Sequence, residues 1–398
     1  MMKALVIAPQ PFFSPRGTPF SVYYRTLVET ELGVEVDLLT YGEGQDVDIP
    51  GIRIIRIPRF AFLGKVKIGP SFLKLFLDSF MLVWTIGLLL CNRYDFVHAH
   101  EEAVFFCRFL KLFFRFKLVY DMHSSLPQQL KNFQFTSSKL LINLFKKLEN
   151  SCLHAADAVI TICPDLSRYV NEIIDNSKKH SLIENSIFDQ VKTLQKSSNL
   201  KLNSSESHFQ EKTFELPGSK RFVVYAGTLE RYQGIDMLIA AFKMVVPEIP
   251  DSYLVIVGGD KRQVERYSAR AESYGLGEYT LFTGRVPQFL AKHYSQLASV
   301  LVSPRIEGTN TPLKIYEQLA SGIPLVATNI FSHTQVLNED IAFMVEPDPG
   351  DMARGILAVL KWGKDNHRIV KNARRLYEQR YSRPVYVKKL QYILELLS

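Results

Sequence analysis

Short β-branched apolar runs alternate with helix-forming stretches along most of this chain, and no other feature constrains its fold as much. The first half carries "KALVIAP", "VEVDLLT", "GIRIIRI", "DFVHAH", "KLVYDMH" and "DAVITIC". The second carries "FVVYAG", "YLVIVGG", "YTLFTG", "VLVSP", "PLVAT" and "AFMVEP". Strands that are apolar on both faces and separated by helices belong to parallel sheets covered on both sides. The pattern restarts near Arg221, and 398 residues are more than one core usually serves. Residues 186–220 include "QKSSNLKLNSSESHFQEK", a polar stretch without period that reads as a linker or inserted loop. The expected fold is α/β: two doubly wound Rossmann-like domains, 1–185 and 221–375, with an interdomain cleft.

Composition narrows the class. A formal net charge of +8 suits anionic ligands or an anionic membrane surface, and is too small an excess to argue for nucleic acid. Cys91, Cys107, Cys152 and Cys163 show no CxxC spacing and no disulfide pattern, which fits a reduced, cytoplasmic setting. The opening "MMKALVIAPQPFF" holds an apolar run too short for a signal peptide. "FMLVWTIGLLLC" (80–91) is the most apolar run, about half of the ~20 residues a membrane span takes. It reads as a buried core helix before a membrane-surface helix. In "VFFCRFLKLFFRFK", Phe105, Phe106, Phe109, Leu110, Phe113 and Phe114 form one helical stripe, and Arg108, Lys111 and Arg115 another face. Basic, aromatic amphipathic helices favour anionic membranes. A domain helix with its basic face in water has the same pattern.

Parallel α/β sheets bind ligands at the carboxyl ends of their strands. His98, His100, Glu101 and Glu102 lie at one such end, His123 at another, and Gly227, Thr228 and Arg231 at a third. A fourth leads into "EGTNTPLKIYEQLASG" (307–322), a short helix. Asn310 and Thr311 can cap it, Pro312 suits its first turn, and Gly322 with Pro324 ends it. Leu313, Tyr316 and Ala320 are its expected inward stripe, with Glu317 on the same stripe. An inward carboxylate needs a partner. That partner is Lys314, in an ordinary helix pair, or a ligand at the helix N-terminus. Backbone amides from Thr309 to Thr311, with Lys314 behind them, favour an anion. Arg231 is either a solvated loop arginine or a cation for phosphate oxygens. His98 and His100 share a strand face with no third metal ligand evident, so no metal is expected. "DVD" (46–48) reads as a polar surface loop.

Taken together, "SPRIEGTNTPLKIYEQLASGIPLVAT", "VVYAGTLERYQGIDMLIAAF", "FVHAHEE", "VYDMHSS" and "ADAVITICPDL" resemble the GT-B glycosyltransferases of family 4. The likeness runs over nearly the whole chain. The closing "YSRPVYVKKLQYILELL" is similar to the family's last helix, so residues 376–398 are expected to cross back to the first domain. The resemblance implies a retaining transferase that uses a nucleoside-diphosphate sugar. Glu317 matches the second glutamate of the family's E-x7-E pair, which holds the ribose. The first position is Thr309, with Glu307 two residues further back. Arg231 takes the part of the family's arginine in the turn after the first donor-domain strand. Gln233 stands where a lysine is usual, and Lys314 is the candidate to replace it. His123 matches a histidine near the donor sugar, and Gly17, beside Arg16, matches a glycine-containing acceptor-side loop.

The implied mechanism is electrostatic. Arg231, Lys314 and a helix N-terminus stabilise charge on the departing β-phosphate, with no metal or other cofactor. His123, Arg231 and Lys314 are the expected catalytic group. Gly227, Thr228, Thr309, Asn310, Thr311 and Glu317 hold the UDP- or GDP-sugar, and Arg16, Gly17, His100 and Glu101 face a glycan or lipid-linked acceptor. Peripheral contact with an anionic membrane is also expected. Two alternatives stay open: a nucleotide-sugar isomerase or hydrolase of the same fold, and a non-catalytic nucleotide-sugar binding protein.

Overall fold

The computed structural model describes residues 2–14, 17–59, 66, 71–127, 138–185, 187–188, 191, 193–194, 216–218, 220–361 and 366–398. It falls into two compact units. One comprises Met1–Asn185, Val191–Lys196 and Arg383–Ser398; the other comprises Ser186–Gln190 and Ser197–Ser382. The return to the first unit therefore comes at Arg383 rather than at residue 376. The helix Asn366–Arg380 belongs with the second unit, and the chain breaks at Tyr381–Ser382 before the last helix, Arg383–Leu397. Pro384 explains the break, because proline suits a first helical turn and cannot continue a preceding helix.

In the first unit the strands are β1 (Lys3–Ala8), β2 (Glu35–Thr40), β3 (Asp46–Val47), β4 (Ile52–Arg56), β5 (Phe96–His100), β6 (Lys117–Met122), β7 (Ala158–Thr161), β8 (His180–Leu182) and β9 (Thr193–Leu194). Seven of them form a parallel sheet in the order β4-β2-β1-β5-β6-β7-β8. Its central strands are buried on both faces, which their continuous apolar runs require. The remaining pair, β3 and β9, is antiparallel. Two expectations change with it. The "DVD" segment is a short strand rather than a loop, with Asp46 bridged to Arg56 at 2.8 Å, and the expected linker contributes β9 to the first unit. Neither strand exceeds two residues, too short for a sequence period to register.

One face of this sheet is covered by a layer that includes the helices Phe72–Cys91, Ala103–Leu110 and Lys139–Ala155. The first corrects the expectation of a core helix over 80–91. It starts eight residues earlier, capped by Ser71, and buries only Leu77, Met81, Thr85 and Leu89. The second buries Ala103, Val104, Cys107 and Leu110, while its Phe109 and, in the turn after it, Phe113 are exposed. Its expected basic face is not simply in water. Lys111 donates to the Ala155 carbonyl at 2.9 Å and pairs with Asp157.

The second unit has β10 (Arg221–Ala226), β11 (Ser252–Val257), β12 (Thr280–Gly284), β13 (Val300–Ser303), β14 (Leu325–Thr328) and β15 (Phe343–Val345). They form a parallel sheet in the order β12-β11-β10-β13-β14-β15, with an apolar core on each face. The loops at its carboxyl edge press together closely. Gly234 has φ +71, and a Cβ there would lie 1.9 Å from the Pro304 carbonyl oxygen, so the turn after β10 abuts the loop after β13 only because this residue is glycine.

Candidate active site

In the second sheet the strand order reverses between β10 and β13, the point where a parallel α/β sheet opens a crevice beyond its strand ends. Two cations meet there. Arg305 follows β13 directly, lies over the Tyr232 ring at 5.1 Å, and donates to the carbonyls of Glu307 (2.6 Å) and Asn310 (3.2 Å). Gly308, at φ +132, allows this, since a Cβ would fall 2.2 Å from the guanidinium. Lys314, in the first turn of the helix Leu313–Ala320, sets its Nζ 4.0 Å from the centre of the Tyr225 ring. That Nζ is buried and has no hydrogen-bond partner among the described residues. Burial, and then the neighbouring Arg305, bring its pKa down to about 7. Burial lowers Arg305 too. Arg305 acts on Lys314, and the tyrosines Tyr232 and Tyr225 act on Arg305, with no carboxylate among the described groups acting on either cation. Like charges held out of water without a counter-ion are costly, and an anionic ligand would balance them.

The helix itself departs from expectation. Its buried residues are Ile315, Tyr316, Gln318 and Leu319, so the inward stripe is shifted by one to two residues. Glu317 is exposed, and Lys314 turns to Tyr225 rather than pairing with it. The helix starts one residue later than the spacing suggests. Pro312 occupies the cap position, no side chain caps the helix, and Asn310 and Thr311 do not serve as caps. Glu317 nonetheless sits among enough protein to feel it. Desolvation pushes its carboxyl up to about 7, against the opposing charge of Lys292.

Around this pair the expected residues divide. Gly227, Lys314 and Tyr225 are brought together, and a Cβ on Gly227 would lie 3.7 Å from the Lys314 ammonium. Thr228 accepts from the Tyr225 hydroxyl through its carbonyl (2.6 Å), and Gln233 reaches the Thr228 hydroxyl at 3.4 Å. Thr309 and Asn310 turn their carbonyls to Gln335 and Arg305. Arg231 stays exposed in the single turn Arg231–Gln233, and no ion pair holds it among the described residues. Glu307 is exposed and binds Arg305 through its backbone, not its carboxylate. His333, which the sequence reading passed over, braces the strand ends. Its Nδ1 donates to the Thr328 carbonyl (2.9 Å), and its Nε2 meets the Ser303 hydroxyl (3.0 Å). Burial lowers its pKa to about 4, so it is neutral.

In the first unit the carboxyl ends of β5 and β6 carry a second cluster. His98 and His100 stack at 4.6 Å on one face of β5, as strand alternation requires. Asp121 from β6 supplies the third ligand-type group that the sequence did not reveal, close enough to both histidines to share an ion. Its Oδ2 already accepts from Arg25 Nε at 2.9 Å and faces His98 Nε2 at 3.3 Å. Glu29 takes the other ring nitrogen of His98 at 2.6 Å. Although burial disfavours a charged imidazole, Glu29 and Asp121 raise His98 to about 9. Burial also opposes ionisation of Asp121, but Arg25 and the nearby histidines hold its pKa well below the ordinary value. Burial drives His100 well below its usual range, so it is neutral, with Nδ1 3.2 Å from His123 Nε2. His100, Glu101 and His123 are thus gathered at one place. Glu101 adopts φ +50, a left-handed conformation rare outside glycine. Burial and then Glu102 raise its carboxyl pKa. Gly17 is not in a loop but opens the helix Gly17–Glu31, and Arg16 lies outside the described residues.

Arg305, Arg25, Glu29 and Asp121 are the charged groups that sequence reasoning missed. Arg305 had a signal, a cation directly after an apolar strand. Arg25 and Glu29 had another, charges one turn apart on a helix face shared with Val22 and Val28.

The two halves match two family models: "Glycosyltransferase Family 4" over residues 23–187 and "Glycosyl transferases group 1" over residues 206–376. The chain belongs to the group 1 glycosyltransferases of the GT-B fold. Among such enzymes it is 28% identical over 153 residues to the phosphatidyl-myo-inositol mannosyltransferase of Mycobacterium tuberculosis, a match covering 36% of this chain and 39% of that one. It is 29% identical over 142 residues to a component of the phosphatidylinositol N-acetylglucosaminyltransferase of Arabidopsis thaliana, covering 34% and 30%. The match therefore spans well under half the length of these curated relatives. In fold, this glycosyltransferase resembles the sucrose-phosphate synthase of Thermosynechococcus elongatus (TM-score 0.73, 20% identity, 100% and 99% of the two chains). It also resembles a glycosyltransferase from Rickettsia africae (TM-score 0.70, 16% identity, 100% and 99%).

Proposed function

We propose that this chain transfers a sugar from a UDP- or GDP-sugar to a lipid-linked or polysaccharide acceptor, with retention of anomeric configuration and without a metal. The observation that carries the reading is the unbalanced pair Arg305 and Lys314 at the switch point of the second sheet. A diphosphate balances two cations. As the glycosidic bond breaks, charge grows on the departing β-phosphate, and donors already in place stabilise it without reorganising. Lys314 supplies the charge that the family's usual lysine would bring at the position of Gln233, and Arg305 braces the loop Glu307–Asn310 while adding its own. Arg231, at the surface of the adjoining turn, meets the outer oxygens. Backbone amides of residues 309–311 and the helix N-terminus complete the cradle, beside Gly227 and Thr228. Glu317, open to solvent and held near neutrality, accepts the ribose hydroxyls. On the family resemblance we assign His123 to the donor sugar and His100, Glu101, Gly17 and Arg16 to the acceptor. Relatives named for transfer to phosphatidylinositol support a glycolipid acceptor, and with it a cytoplasmic enzyme in peripheral contact with an anionic membrane.

The test is calorimetric binding of UDP- and GDP-sugars in EDTA between pH 5.5 and 8.5, with turnover measured alongside. Productive binding needs Glu317 ionised and Lys314 protonated, and both titrate at about 7 in the free protein. Affinity is expected to peak near pH 7. It falls toward acid as Glu317 protonates and toward alkali as Lys314 loses its charge, by up to about tenfold per pH unit on each side. Glu317→Gln is expected to remove the acid limb alone. A flat profile, or affinity unchanged in both Glu317→Gln and Arg305→Met, overturns the assignment. Loss of turnover in EDTA overturns metal independence.

A further inference from the structure

The helix Phe72–Cys91 is built inside out. Its charged residues point into the protein: Lys74 pairs with Glu102 at 3.2 Å, and Asp78 accepts from the buried Tyr41 hydroxyl at 2.6 Å. Thr85 is buried as well, spending its hydroxyl on the Met81 carbonyl. The outward stripe follows at helical spacing and carries no charge over five turns: Phe72 (79% exposed), Leu75 (61%), Phe76, Ser79, Val83 (60%), Gly87 and Leu90 (72%). A soluble surface helix has the opposite arrangement. Its neighbours in the same helical layer add Phe113 and Leu140, each about four-fifths exposed. Exposed apolar side chains gathered on one face mark an interaction surface.

We infer that this layer docks on an anionic lipid bilayer, with the Phe72–Cys91 helix lying in the plane of the headgroup–acyl boundary. The inference rests on, and deepens, the reading of a membrane-contacting transferase. Charge chooses the occupant. In the three helices and the turn after Leu110, the described exposed charges are Arg115, Lys146 and Lys147, and no described carboxylate is exposed. The two acidic residues within the helices, Asp78 and Glu149, are turned inward, Glu149 onto Ser125, Leu126 and Tyr169. An apolar stripe flanked only by cations fits anionic headgroups around an acyl surface. By length and composition this helix could cross a membrane. It lies on the surface instead, because Leu77, Met81 and Leu89 fasten it along its length to the core over the sheet. Twenty residues make it about 30 Å long, enough to seat the unit as a keel.

The experiment uses the full chain and vesicles of phosphatidylcholine with or without phosphatidylglycerol, read by co-sedimentation. Wild type is expected to bind the anionic vesicles at low salt. The triple variant Leu75→Gln, Val83→Gln, Leu90→Gln changes only outward positions. It is expected to lose at least tenfold in partitioning while keeping its melting temperature and its nucleotide-sugar affinity. Lys146→Gln with Lys147→Gln is expected to weaken binding several-fold and flatten its salt dependence. In a Trp362→Phe background, brominated lipids are expected to quench Trp84, which lies within the helix. The inference is overturned if wild type ignores anionic vesicles or if the triple variant binds as well as wild type. It is equally overturned if light scattering finds a dimer that the triple variant dissolves, since a second copy is then the occupant. A chain that binds vesicles through this face but turns over no nucleotide sugar overturns the transferase reading and leaves the docking face standing.

Discussion

Lys314→Met is expected to make the free protein more stable and to abolish sugar transfer. The two effects have one cause. The ammonium is buried against Tyr225, beside Arg305, with no hydrogen-bond partner among the described residues. A lysine that ordinarily titrates at 10.5 is brought to about 7 by burial and then by Arg305, so the unfolded chain binds the proton more tightly. Between those two values stability rises with pH, and at pH 7 the mismatch costs roughly 4 kcal/mol. Methionine keeps most of the volume and removes the charge. Melting temperature is expected to rise by about 8 °C or more, given 2–4 °C per kcal/mol for a unit of this size, and the pH dependence from 7 to 10 should flatten. Turnover is expected to fall about 10²–10³-fold, the usual effect of losing one preorganised donor to a developing oxyanion. Scanning calorimetry and a radiolabelled transfer assay check the two halves. A variant that melts lower, or that still turns over, means Lys314 is an ordinary packing residue.

Asp121→Asn is expected to cost the first unit about 3–5 kcal/mol, because it leaves two buried cations facing a neutral amide. Arg25 is fully buried and places Nε on this carboxylate. Its other contacts are the Ile183 carbonyl at 2.7 Å and the face of Tyr386, neither of which carries a compensating negative charge. His98, raised to about 9, keeps only Glu29. The sign can be followed with pH. A histidine whose pKa is raised on folding contributes stability fully below its ordinary 6.5 and loses it as pH climbs through about 9. Asparagine should shrink that loss, since it removes one of the two carboxylates responsible. Urea unfolding at pH 6 and pH 9 reads both effects. Adding Arg25→Met to Asp121→Asn is expected to recover part of the loss, and strict additivity would mean the pair is not coupled.

The layered fold was legible in the sequence because buried parallel strands leave continuous apolar runs. All six strands expected in the second half are present, as are all six in the first. β3 and β9 were not legible, since two-residue strands are defined by what they pair with. Of the candidate site, the sequence showed which strand ends carry charged residues and less of how those residues are arranged. Gly227 and Lys314 converge as their place at strand ends suggested. The helix around Lys314 began one residue later than its capping residues implied. Separately, its inward face is Ile315, Tyr316, Gln318 and Leu319, so Glu317 points outward, because at about 100° per residue a small error in phase moves a side chain from core to solvent. The same sensitivity hid the Phe72–Cys91 helix. Its composition is that of a core helix, and only the packing shows that the charges face inward.

The sequence by itself determined two parallel α/β units, their strands and the strand ends where ligand chemistry gathers, because local periodicity and punctuation are written residue by residue. Only the tertiary structure decided which cations are left without an anion, which histidine is charged and which neutral, and which apolar stripe faces out. Those outcomes depend on what lies across from each side chain, and that neighbour comes from a distant part of the chain: Asp121 for Arg25, Tyr225 for Lys314, Glu102 for Lys74.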